Sequence, residues 1–160
     1  MRLRDATAED LDLLHDMLLE AFTWDGTPRV SRAEMLADPH TARYLGDWKR
    51  PDDLGLVATD DEGAALGAVW ARALPAAAPG YGYVADDVPE LGMAVRRAHR
   101  GQGVGSALLA GFLEQARDRG WRAVSLSVED GNAAARALYE RHGFVPVGRE
   151  GGSDTMLRRL

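Results

Sequence analysis

The chain has 160 residues, of which 46% are apolar, and this is sufficient for one domain with a buried core. A formal net charge of −6 disfavours general nucleic-acid binding, and no apolar run approaches the roughly 20 residues needed to cross a bilayer. The absence of cysteine excludes disulfides, thiolate metal sites and a cysteine nucleophile. We therefore expect a single domain over residues 1–160, and a cytoplasmic location because the N-terminus lacks the apolar stretch of a secretory signal.

The first half of the chain predicts a strand, two helices and a β-hairpin. Thr7 and Asp10 have the spacing of a capping box, and an apolar stripe follows them at helical intervals as far as Phe22. Ser31 begins a second capping box, so another helix starts there and must end near Pro39. Two apolar runs separated by the turn sequence DDEG predict the hairpin. The predicted strands of this half lie at residues 2–6, 53–60 and 65–74.

The second half predicts strands that alternate with helices, after a loop rich in proline and glycine. The strand ELGMAV is followed by a turn with three glycines and by a helix in which Val104, Leu108 and Phe112 recur every four residues. This order of elements predicts a parallel crossover unit within a mixed α/β (α+β) sheet on which helices pack. The remaining predicted elements are a strand at residues 122–128, a helix that Asn132 caps and Gly143 ends, and strands at residues 144–149 and 154–160.

The turn before this helix combines Gly101, Gly103 and Gly105 with a preceding Arg100. A helix N-terminus carries unpaired N–H groups and a partial positive charge, and glycines allow an anion to approach them closely. The turn therefore predicts a phosphate cradle assisted by Arg100. It fits neither the G-x-G-x-x-G dinucleotide fingerprint nor the P-loop, which needs a lysine. A tight strand-to-helix turn without a ligand remains an alternative on the glycines alone.

The pattern R-x-x-G-x-G at Arg100–Gly105 resembles the GNAT superfamily of acetyl-CoA-dependent N-acetyltransferases. The preceding strand ELGMAV and the later segment NAAARALYERHGF, at Asn132–Phe144, occur in the order and spacing of that superfamily. The resemblance implies a mixed, mostly antiparallel sheet with helices on both faces, in which the strands at residues 90–95 and 123–128 splay apart. The pantetheine arm of acetyl-CoA would lie in that gap. The cofactor-binding residues so implied are Met93, Val95, Arg100, Gln102, Gly103, Val104, Gly105, Ser106 and Asn132.

Two residues are the candidate catalytic groups. The resemblance places Tyr139 beside the thioester sulfur, where its hydroxyl would protonate the departing thiolate. Glu90 begins the cofactor-facing strand and could accept the proton of the substrate amine through water. Solvation of a surface loop explains Glu90 equally well, and it explains Asp86 and Asp87 better than a catalytic role does. The Val95 N–H is a candidate oxyanion donor. The four histidines lack the spacing of metal ligands, so no metal is expected.

The acceptor amine is less well defined by the sequence. Loop aromatics predict an acceptor pocket, and nearby acids favour a cationic amine. A small amine, a peptide N-terminus and a lysine side chain all remain open, and a homodimer is allowed. Two other functions also remain open: a catalytically silent acyl-CoA-binding sensor and another kind of nucleotide-binding domain. The candidate pocket aromatics are Trp24, Tyr44, Trp48, Tyr81 and Tyr83.

Overall fold

A computed structural model describes all 160 residues and places seven strands in one mixed sheet. The strand order is β1-β2-β3-β4-β5-β7-β6, and every neighbouring pair is antiparallel except β4 and β5. This confirms the predicted fold class. The strands are β1 Arg2–Asp5, β2 Leu54–Thr59, β3 Ala65–Arg72, β4 Glu90–Val95, β5 Ala123–Glu129, β6 Val145–Glu150 and β7 Ser153–Arg159.

Five α-helices connect the strands, and none is long and apolar enough to span a membrane. They are α1 Leu11–Phe22, α2 Arg32–Ala37, α3 Pro39–Ala42, α4 Val104–Asp118 and α5 Ala133–Arg141. The sequence did not predict α3, because Pro39 was interpreted only as the end of the preceding helix. In the structure Pro39 occupies the first turn of α3, and the Asp38 carboxylate accepts the His40 N–H at 2.9 Å as its cap.

Helices cover both faces of the sheet, as expected, because successive strand residues point to opposite faces. On one face Leu56 of β2 packs in a core with Leu108 and Phe112 of α4. On the other face Val57 packs in a second core with Leu14 of α1. The apolar stripes predicted for α1 and α4 are therefore the helix surfaces that pack on the two faces of the sheet.

A buried ion pair fixes the turn after α3 to the sheet. The Arg72 guanidinium lies 2.6 Å from the Asp53 carboxylate, and both side chains are almost fully buried. Arg72 also donates to the carbonyls of Arg43 and Gly46. A buried charge needs such partners to offset its desolvation. The ion pair thereby holds the segment that carries Tyr44 against the sheet.

Candidate active site

The sheet opens between its two parallel strands. β4 and β5 are paired only at Glu90 and Ser125, and the strands separate beyond this point. The Arg96 N–H bonds to Leu66 on the β3 side at 2.8 Å. Because alternate residues of a strand bond to opposite neighbours, the backbone groups of Met93 and Val95 face the gap. The gap has the splayed geometry that the family resemblance implied.

A cavity of about 770 Å³ occupies this gap and extends from the glycine turn to Glu90. Its walls come from the end of α1, from β4 and β5, from the first turn of α4, from α5 along its length, and from the loops that carry Tyr44 and Tyr81. Two predicted cofactor residues do not line it. Val104 is buried in the core, and the Gln102 side chain turns toward the Ala98 carbonyl. The predicted residues that line the cavity are Glu90, Met93, Val95, Arg100, Gly103, Gly105, Ser106, Asn132 and Tyr139.

Glycine is needed at Gly103 and at Gly105 for different structural reasons. Gly103 immediately precedes α4 with φ +84°, a left-handed conformation that side chains disfavour, and a Cβ there would meet no atom within 4 Å. Gly105 lies inside the helix, where a Cβ would come within 3.1 Å of Leu138 on α5. Gly103 therefore shapes the turn and leaves the helix N-terminus open to the cavity, whereas Gly105 allows α5 to approach closely.

Two polar residues beside the turn are already engaged within the protein. The Ser106 hydroxyl is hydrogen-bonded to Nε2 of His142 at 2.9 Å. Arg100 donates to the carbonyl of Trp24 at 2.9 Å and to that of Val95 at 3.2 Å. Arg100 thus connects the loop after α1 to the end of β4. Its assistance to a phosphate stays a prediction.

Glu90 lies at the closed end of the gap, with only 3% of its surface exposed. Its Oε1 accepts hydrogen bonds from the Tyr44 hydroxyl at 2.7 Å and from the Gly82 N–H at 2.8 Å. The Tyr44 hydroxyl in turn accepts the Tyr81 N–H. Oε2 is buried without a donor. Burial raises the pKa of Glu90 from its ordinary value of 4.5 to about 7, against the opposing effect of the Tyr44 and Gly82 hydrogen bonds. The site therefore contains a carboxyl group that can exchange a proton near neutral pH.

Tyr139 projects from α5 into the same cavity and is 7% exposed. Its ring packs edge-on against Phe144 at 5.8 Å between centroids. Burial alone raises the pKa of Tyr139 to about 12, so its hydroxyl stays protonated at neutral pH. Asn132 caps α5 through its side-chain oxygen, which accepts the Ala135 N–H at 3.3 Å. The predicted cap is confirmed.

Four of the residues considered for the acceptor side lie outside the cavity. Asp86 accepts hydrogen bonds from Tyr83 and from the Ala76 N–H, and Asp87 pairs with Arg122 on the surface. Tyr83 is likewise directed away from the cavity by its bond to Asp86. Trp48 is buried in the core between α1 and the sheet, where its indole N–H donates to the Thr7 carbonyl. The solvated-loop interpretation is therefore correct for the two aspartates and wrong for Glu90.

Three of the predicted aromatics line the cavity, namely Trp24, Tyr44 and Tyr81. The structure adds contacts that no local pattern signals. The Trp24 indole N–H donates to Glu129 at 2.9 Å across 105 positions of sequence. Phe22, predicted only as part of the apolar stripe of α1, also lines the cavity.

The family is decided by comparison with known proteins. The model of the Acetyltransferase (GNAT) family matches residues 11–144, which is most of the chain. The chain belongs to the GNAT acetyltransferase family. The family match spans α1, the glycine turn and α5, which together line the cavity.

Individual GNAT relatives are similar over different parts of the chain. Mycothiol acetyltransferase of Beutenbergia cavernae is 42% identical over 100 residues, which are 62% of this chain and 31% of that protein. The chain thus spans about a third of that relative's length. The crystal structure of ribosomal-protein-alanine N-acetyltransferase from Brucella melitensis superposes with a TM-score of 0.71 at 27% identity over all of both chains. A phosphinothricin acetyltransferase from Sinorhizobium meliloti, solved in complex with AcCoA, gives 0.68 at 25% identity over 99% of this chain and 88% of that one.

Proposed function

We propose that this chain transfers the acetyl group of acetyl-CoA to a primary amine by direct attack through a tetrahedral intermediate. The observation that carries the proposal is one continuous cavity. It joins an open helix N-terminus, the gap-facing backbone of β4, a buried carboxyl group and a buried tyrosine hydroxyl. The acetyl-CoA complex of a structural neighbour supports the choice of acetyl donor.

Acetyl-CoA would lie along these residues in an extended arrangement. The N–H groups at the start of α4, from Gly103 to Ser106, would hold the pyrophosphate, because the helix N-terminus carries partial positive charge. The backbone of Met93 and Val95 would pair with the pantetheine amides. The Val95 N–H would then be near the thioester and would stabilise the oxyanion of the tetrahedral intermediate. When bound, acetyl-CoA supplies an activated acetyl group.

The amine must lose a proton before it can attack, since an alkylammonium has a pKa of about 10.4. Glu90, whose pKa is about 7, accepts this proton through a water molecule, because the carboxyl group itself is only 3% exposed. The free amine attacks the thioester carbonyl and forms the new C–N bond. Collapse of the intermediate breaks the C–S bond and releases the thiolate of CoA.

Tyr139 stabilises the departing thiolate. The Tyr139 hydroxyl has a pKa of about 12, and the thiol of CoA has a reference pKa of about 8.5. Complete proton transfer from the hydroxyl to the thiolate is therefore unfavourable. The hydroxyl therefore acts mainly as a hydrogen-bond donor to the developing charge. The proton released from the attacking nitrogen finally neutralises the thiolate.

The cofactor part of the proposal is tested by Gly103→Asp, with Gly120→Asp as the matched control. Both glycines have positive φ, +84° and +76°, and a Cβ at either position would meet no atom within 4 Å. The backbone penalty is therefore similar, but only Gly103 places the new carboxylate at the cavity. Calorimetry should show acetyl-CoA binding lost in Gly103→Asp and retained in Gly120→Asp. Parental affinity in both variants would contradict the cradle.

A further inference from the structure

The acceptor end of the cavity has an aromatic wall. The Tyr44 and Tyr81 rings are nearly parallel, at 14° and 6.4 Å between centroids, and Phe22 meets Tyr81 edge-on at 6.1 Å. His40 packs against Tyr81 at 4.4 Å and supports that ring. All three rings of the wall line the same cavity as Glu90. An amine held near Glu90 therefore has its carbon skeleton against aromatic surface.

Cationic side chains line only one end of the cavity, where the carboxylates of Glu20, 3.7 Å from Arg100, and of Glu129 line it as well. Its cationic side chains, Arg100 and Arg141, lie at the glycine turn and on the last turn of α5. At the opposite end the charged lining residue is Glu90, which is buried. Arg43 is on the segment beside this end, but its guanidinium is bonded to the Pro79 carbonyl and does not line the cavity. The aromatic end therefore offers a substrate carboxylate no cationic partner.

We propose that the acceptor is a primary amine on an apolar or aromatic carbon skeleton that carries no carboxylate next to the amine. This inference rests on the proposed function and narrows its substrate class. With one water molecule between the amine and Glu90, as in the proposed function, a carboxylate on the carbon that bears the amine would lie roughly 6 Å from the ionised carboxyl group. At an effective dielectric constant of about 20, like charges at that distance disfavour binding by up to on the order of a hundredfold.

The test compares phenethylamine, phenylalaninamide and phenylalanine as acceptors at about pH 8, where Glu90 is mostly ionised. Phenethylamine and phenylalaninamide, which carry no carboxylate next to the amine, should each have a kcat/KM at least about tenfold higher than that of phenylalanine. Phenethylamine has a more basic amine than phenylalanine and phenylalaninamide a less basic one. Amine basicity therefore cannot produce both preferences. Equal or better use of phenylalanine would overturn the inference.

The aromatic wall is tested separately with Tyr81→Ala and the matched control Tyr83→Ala. Tyr83 belongs to the same loop, but it is bonded to Asp86 and lies outside the cavity. Tyr81→Ala should raise the KM for phenethylamine several-fold more than the KM for ethylamine, and Tyr83→Ala should change neither. Equal effects of Tyr81→Ala on both amines would contradict contact between the ring and the substrate.

These outcomes separate the inference from the proposed function. Acetylation of all the amines without preference would contradict only the inference. Absence of acetylation with every amine, while acetyl-CoA still binds by calorimetry, would contradict the proposed function and the inference with it.

Discussion

Replacing Glu90 with glutamine removes the ionisable group and keeps the local hydrogen bonds. The glutamine carbonyl oxygen can still accept from the Tyr44 hydroxyl and the Gly82 N–H, which now meet Oε1. General-base catalysis contributes about a hundredfold or more. We therefore expect kcat/KM of Glu90→Gln to fall by about a hundredfold at about pH 8.

The loss should depend on pH in a defined direction. With a pKa of about 7, roughly nine-tenths of Glu90 is ionised at about pH 8 and roughly a tenth at about pH 6. The ratio of parental to variant kcat/KM should thus shrink about tenfold over this range. Titration of the amine substrate cancels in the ratio, because both proteins meet the same amine.

Stability supplies a readout that is independent of activity. The folded state raises the pKa of Glu90, so the protonated form is favoured by folding. This contribution is complete below pH 4.5 and is lost as the pH rises to about 7. The difference between the pKa values of 4.5 and about 7 corresponds to about 3 kcal/mol of unfolding free energy. Urea unfolding should show the parent losing stability relative to Glu90→Gln across this range.

The reasoning is refuted if the parent-to-variant ratio is independent of pH, or if Glu90→Gln stays within twofold of the parent at about pH 8. A pH-independent ratio together with the expected stability change would mean that Glu90 titrates as described but does not take the proton of the amine.

Three further changes test the neighbouring groups. Tyr139→Phe should lower kcat by about tenfold to a hundredfold, which is the value of one hydrogen bond to a charged group, and should leave the acetyl-CoA affinity and the melting temperature unchanged. A kcat within twofold of the parent, with the chemical step rate-limiting, would contradict stabilisation of the thiolate by Tyr139. Tyr44→Phe deletes a hydrogen bond that lowers the pKa of Glu90, so the pH midpoint of kcat/KM should move upward, and an unmoved midpoint would show that the bond does not tune the carboxyl group. Asp53→Ala leaves the buried Arg72 without its carboxylate and should lower the free energy of unfolding in urea by about 3–5 kcal/mol, whereas Asp87→Ala removes one partner of an exposed ion pair and should leave the urea midpoint nearly unchanged. Equal effects of the two changes would contradict the claim that burial makes the Arg72–Asp53 pair important.

The sequence predicted those parts of the fold that depend on nearby residues. The apolar period of α4 and the caps at Ser31 and Asn132 are local patterns, and the structure confirms them. The helix at Pro39 was missed because proline can either end a helix or begin one. Local signals are thus informative where one physical cause dominates.

The candidate site depends on contacts between distant residues, and the sequence predicted less of it. The hydrogen bond from Tyr44 to Glu90 spans 46 positions, and no pattern indicates it. The sequence favoured Glu90 over Asp86 and Asp87 but left solvation of a loop equally open for Glu90, because burial decides this point. Glu90 points into the closed end of the gap, Asp86 accepts a hydrogen bond from Tyr83, and Asp87 pairs with Arg122 on the surface. The glycine turn was predictable because its conformation is set by its own residues.

Amine-dependent release of CoA is the most direct test of the central claim. Purified protein is mixed with acetyl-CoA and phenethylamine, free CoA is followed with a thiol reagent, and the amine is analysed by mass spectrometry. The parent should release CoA only when the amine is present, and the product should gain one acetyl group per CoA released. The Glu90→Gln variant should do so about a hundredfold more slowly. Release of CoA at the same rate without any amine, or an unmodified amine after CoA release, would contradict acetyl transfer to an amine.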